Sequence, residues 1–102
     1  MMKHILFLLF LPIVMFSQIT SSTLEGSVKL DGNDLINSKI VLLFTPTNSE
    51  YTTTTDKHGR FSLDNLDVGG PYTLFIYDDK MVYIKKNIYL ILGENVLSTI
   101  KL

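Results

Sequence analysis

Apolar and polar residues alternate along most of this chain, and clusters of Gly, Asn, Asp and Pro break the alternation at regular intervals. Over Thr23–Leu30, residues Leu24, Gly26, Val28 and Leu30 fall on one face of a strand, and Glu25, Ser27 and Lys29 on the other. Asp31-Gly32-Asn33-Asp34 predicts a turn, because Gly and Asn tolerate positive φ and Asp caps its own backbone. Lys39–Thr45 predicts a strand apolar on both faces, with Ile40, Leu42 and Phe44 alternating with Val41 and Leu43. Pro46-Thr47-Asn48-Ser49 ends it. Tyr51–Thr55 is a short Thr-rich strand, and Arg60–Leu63 the next, with Phe61 and Leu63 on one face. The turn Asp56-Lys57-His58-Gly59 joins them, and Gly59 is expected to take a conformation open mainly to glycine.

After the break Gly69-Gly70-Pro71, Tyr72–Tyr77 puts Tyr72, Leu74 and Ile76 on one face and Thr73, Phe75 and Tyr77 on the other. Asp78-Asp79-Lys80 turns, and Val82–Leu90 forms a strand with a bulge expected at Lys85-Lys86-Asn87. Gly93-Glu94-Asn95 reads as the last turn and Val96–Leu102 as the last strand. The pattern predicts an all-β, seven-stranded antiparallel Greek-key sandwich. An α/β fold is excluded, because no stretch repeats apolar residues every three or four positions.

The beginning of the chain follows a different rule. Lys3 and His4 precede the uncharged run Ile5–Phe16, and Ser17-Gln18 follows. That order predicts a secretory signal peptide over residues 1–17. The rival is a retained N-terminal anchor, but the run falls short of the roughly twenty residues a membrane-spanning helix needs. Residues 18–22 then form a linker, and 23–102 the domain. The mature chain, of about 85 residues, buries only around 60–65% of its unfolded surface, so its stability is modest.

Without residues 1–17 the balance is eight basic against ten acidic side chains, or −2. With no basic stripe, electrostatic nucleic-acid binding is not expected. The absence of cysteine rules out both disulfides and a lipid-modified cysteine. A bacterial periplasm or cell surface fits this composition.

Candidate chemistry is sparse. His58 is the one histidine after the leader, so a His-rich zinc site is not available. Asp56, Asp64 and Asp67 lack the tight alternation of a calcium loop. Asp78-Asp79 reads as a solvated turn and Lys85-Lys86 as a charged edge that discourages aggregation. No serine has a nucleophile elbow or a histidine partner. Neither an enzyme nor a cofactor is expected.

Several segments carry a resemblance. Leu24-Glu25-Gly26-Ser27-Val28, Asp31-Gly32, Thr45-Pro46-Thr47, Thr55–Phe61, Leu66–Thr73, Ile88-Tyr89-Leu90 and Leu92-Gly93-Glu94 together resemble a carboxypeptidase-regulatory-like domain, a prealbumin-type sandwich. Thr-Pro-Thr and Val-Gly-Gly-Pro-Tyr-Thr resemble the subset at the N-terminus of Oar-like TonB-dependent outer-membrane receptors. The chain departs from the family at Asp79–Tyr83, where a Gly-aromatic pair is usual. It also contains neither plug nor barrel, which suggests a free-standing module or the front of a broken receptor gene. The resemblance implies no peptidase activity, because that chemistry lives in a separate zinc domain. It also implies that the second and fifth strands are neighbours, which would gather Val41, Leu43, Phe75 and Tyr77 into one outward patch, a candidate partner surface.

Gly32, Gly59, Gly69, Gly70, Pro71 and Gly93 are expected to serve the turns. The leading expectation is a non-catalytic interaction module that meets a protein at the outer membrane or cell surface. The alternative is a secreted carbohydrate- or surface-binding module, with Tyr51, Tyr77, Tyr83 and Tyr89 as candidate glycan contacts.

Overall fold

A computed structural model describes residues 20–102, and the expected signal peptide lies outside them. Every regular element among the described residues is a strand. In chain order they are β1 (Ser22–Leu30), β2 (Asn33–Asp34), β3 (Lys39–Phe44), β4 (Ser49–Thr54), β5 (Arg60–Leu66), β6 (Gly69–Asp78), β7 (Lys80–Leu90), β8 (Gly93–Val96) and β9 (Ile100–Lys101). A five-stranded sheet is built on β1, and a four-stranded sheet runs β4-β3-β6-β7.

β1 is the spine of the first sheet. It pairs antiparallel with β5 and then with β2, and in parallel with β8 and β9. The N–H of Val28 donates to Gly59 O at 2.8 Å and its carbonyl accepts from Leu35 N at 3.0 Å. The carbonyls of Glu25 and Lys29, on the opposite edge, accept from Leu97 N at 2.9 Å and Leu102 N at 2.8 Å.

One core lies between the sheets. The first sheet contributes Leu24, Val28, Phe61, Leu63, Leu66 and Ile100, and the second Ile40, Leu42, Tyr72, Leu74, Ile76 and Leu90. The alternation that places them follows the side-chain period of two. The resulting structure is a two-layer β-sandwich.

Nine strands form among the described residues where seven are expected. The turn at Asp31-Gly32, with φ of 54° and 84°, folds Asn33–Asp34 back onto β1 as an extra short strand. The last predicted strand divides in two. Gly93-Glu94-Asn95, expected as a turn, is strand β8, and it pairs with β1 in parallel rather than antiparallel. The reason is Asn95. Its Oδ1 accepts from Ile91 N at 2.9 Å, and its Nδ2 donates to the carbonyls of Ile91 at 2.9 Å and Thr23 at 3.2 Å. One amide side chain thus satisfies the loop and ties it to β1, so a turn-forming residue serves inside a strand.

The bulge in β7 does fall in the expected place. Leu74 pairs with Lys85 and Tyr72 with Ile88, so Lys86 and Asn87 together stand opposite Thr73. Asn87 takes a φ of 60° there.

Candidate functional site

The Asp56 turn is built from its own backbone. Asp56 Oδ1 accepts from His58 N at 2.8 Å and Arg60 N at 2.9 Å. These two amides hold its carboxyl below the ordinary value of 3.8, with the nearby His58 and Arg60 charges adding to the effect. Gly59 has a φ of 73°, and a Cβ there would lie 2.6 Å from Val28 O. Both the conformation and the close approach therefore require glycine. This carboxylate is committed to a turn, and Asp64 stands toward the far end of β5, about 13 Å along the strand from Arg60. The three aspartates do not converge, and no group of three metal-ligating residues occurs among the described residues.

The other turn residues occupy several settings. Gly32 sits in the β1–β2 turn, Gly69, Gly70 and Pro71 open β6, and Gly93 opens β8. Thr45 N and Thr45 Oγ1 both donate to Pro71 O, at 3.1 and 3.0 Å. The Thr-Pro-Thr and Gly-Gly-Pro-Tyr segments thus meet at one end of the sheet. Beside them Phe44 packs on Tyr72, with ring centroids 4.7 Å apart. Tyr72 is fully buried, and its hydroxyl donates to Asp67 O at 2.6 Å. Burial pushes its pKa up to about 12.

The residues singled out as a patch do share a face. β3 and β6 are neighbours, and Val41 pairs with Phe75, Leu43 with Thr73 and Lys39 with Tyr77. All point away from the core. Val41 is only 8% exposed, whereas Leu43, Phe75 and Tyr77 are half-buried, because neighbouring side chains on the flat sheet cover one another. Lys39 Nζ lies over the Tyr77 ring, 5.5 Å from its centroid.

β7 contributes to this face as well. Ile84 pairs with Phe75 and Met81 with Tyr77, and these two side chains are 41% and 43% exposed. Register shifts along β7 obscured the alternation that would have revealed them.

A concave feature lies where the first sheet meets Thr53-Thr54 of β4. An open groove of about 710 Å³ is lined by Glu25, Ser27, Arg60, Ser62, Val96 and Thr99. Ser27 and Thr99 hydroxyls are 3.0 Å apart within it. The four tyrosines do not form one platform: Tyr51 and Tyr83 pack against the core, Tyr77 lies on the outer sheet face, and Tyr89 is 65% exposed on β7. None of them lines the groove.

The carboxypeptidase regulatory-like domain family matches residues 23–102, and the chain belongs to that family. No curated protein matches it by sequence. Solved structures match it by fold. A candidate carbohydrate-binding protein from Bacteroides uniformis superposes with a TM-score of 0.60 at 13% identity, over 78% of this chain and 40% of the other. Catechol 1,2-dioxygenase from Acinetobacter sp. ADP1 gives 0.54 at 11% identity, over 83% and 54%. A 9R-lipoxygenase from Cyanothece PCC8801 gives 0.52 at 15% identity, over 86% and 17%. The chain thus spans well under two thirds of each of these proteins, and the likeness is one of fold.

Proposed function

We propose that this chain is an exported, non-catalytic interaction module that works in the periplasm or at the outer membrane. Its contact surface is the outer face of β4-β3-β6-β7. The observation that carries this reading is the row Val41–Phe75–Ile84, which crosses three adjacent strands on the side away from the core. A sheet face of this kind, rimmed by polar residues, suits a protein partner. The apolar run before Ser17 supports export, and the Thr-Pro-Thr and Gly-Gly-Pro-Tyr segments support kinship with the N-terminal accessory domain of TonB-dependent receptors. In that role the domain docks or spaces, and transport belongs to a barrel.

The double substitution Leu43→Thr with Phe75→Ser tests the surface. Folding, followed by circular dichroism, should persist, while crosslinks formed through a photoreactive residue at Ile84 should disappear. Unfolding of the double variant, or crosslinks that survive it, would count against the reading.

Carbohydrate binding is the second reading. It draws support from the fold likeness to the Bacteroides uniformis protein and from the hydroxyl-lined groove at Ser27, Ser62 and Thr99. A glycan array tests it, and a signal abolished by Ser62→Trp but kept by Phe75→Ser would favour it over the sheet-face reading.

A further inference from the structure

We propose that the outer face of β4-β3-β6-β7 is covered by the same face of a second copy of this chain. This rests on the contact-surface reading above and names the partner.

The rows of the sheet set the geometry. Thr52, Val41, Phe75 and Ile84 lie side by side in the middle row. Thr54, Lys39, Tyr77 and Met81 form the row at one end. In the row at the other end, Glu50 pairs with Leu43, Leu43 pairs with Thr73, and the bulge residues Lys86 and Asn87 stand opposite Thr73. An acid on edge strand β4 and a base on edge strand β7 thus occupy one row, separated by Leu43 and Thr73. Both are exposed. Among the described residues the one ion pair is Lys29–Asp34, at 3.1 Å, so Glu50 and Lys86 have no such partner within them.

A twofold axis parallel to the strands, midway between β3 and β6, turns this face onto itself. It lays β4 of one copy over β7 of the other and keeps every row at its own height. Glu50 of each copy then meets Lys86 of the other, and the symmetry makes the contact twice. Apolar residues of the middle row close between them. Sheets packed this way are aligned to within about 30°, the usual arrangement for stacked sheets. A twofold axis across the strands would set β4 over β4 and leave both charges unmatched.

The face is small. Four strands at ~4.8 Å spacing and six residues at ~3.4 Å make a plate roughly 20 Å on a side. Stable complexes bury about 800 Å² per partner, so this dimer is weak and concentration-dependent. Its exposed charge pairs fix register more than affinity.

Sedimentation of the purified protein from about 10 µM to about 1 mM should show a monomer–dimer equilibrium, as expected for an interface of this size. Glu50→Lys and Lys86→Glu should each weaken the dimer about tenfold, and their combination should restore it. Melting curves confirm that each variant folds. A monomer throughout that range, or a combination no tighter than either single change, would overturn the second copy. A monomeric chain whose Phe75-dependent crosslinks lead to a different protein overturns it too, yet leaves the contact-surface reading standing. A dimer indifferent to Leu43→Thr with Phe75→Ser overturns both.

Discussion

The ring of Phe61 occupies the space where a side chain on Gly26 would begin. A Cβ built on Gly26 lies 2.6 Å from Phe61 Cζ and 2.8 Å from Cε2. The two residues are directly paired between β1 and β5. Gly26→Ala should therefore destabilise the domain by about 1–3 kcal/mol, the usual cost of overpacking. Adding Phe61→Leu should recover part of that loss in denaturant titrations. A Gly26→Ala protein as stable as the wild type would show that the ring has room to move.

Tyr72 gives an alkaline signature. Its folded pKa, about 12, lies above the ordinary 10.0. The stability linked to its neutral form is complete below pH 10.0 and is lost as pH rises from there toward 12. Tyr72→Phe should remove this part of the alkaline sensitivity. It should also cost about 0.5–1.5 kcal/mol at neutral pH, because Asp67 O exchanges its hydroxyl donor for water. Chemical denaturation at pH 7 and pH 11 measures both effects.

Asp56 gives the opposite sign. Its folded pKa is depressed below 3.8, so the turn it organises is secure above that value and loosens as pH falls through the folded pKa. The amide proton shifts of His58 and Arg60 should titrate together with a midpoint below 3.8. In Asp56→Asn that joint titration should vanish.

Asn95 anchors the parallel strand. Asn95→Ala removes its hydrogen bonds to Ile91, Gly93 and Thr23, and should cost about 1–3 kcal/mol. Hydrogen exchange should accelerate across Gly93–Val96, while β3 and β6 keep their protection. Uniform acceleration through both sheets would mean that β8 does not open by itself.

The legible parts of this fold are those written in local alternation. Ile40, Leu42, Leu74 and Ile76 stand at every second position and lie in the core. Gly59 and Asp31-Gly32 mark turns through backbone chemistry that few residues share. β8 was hidden behind its turn residues, and β9 was legible only as part of the strand expected over Val96–Leu102, because both are short and their partner, β1, lies about seventy residues away. Parallel pairing of that kind leaves no hairpin signal in the sequence. The apolar face was half legible. Val41, Leu43, Phe75 and Tyr77 announce it, but Met81 and Ile84 join only through the register shifts of β7.

Because β1 is held on one edge by segments near Gly93 and Ile100, its sheet cannot close until those segments have been synthesised. Pairings so distant along the chain assemble slowly. Until the ribosome has made the stretch around Ile100, a growing polypeptide of this design carries β1 with one edge bare.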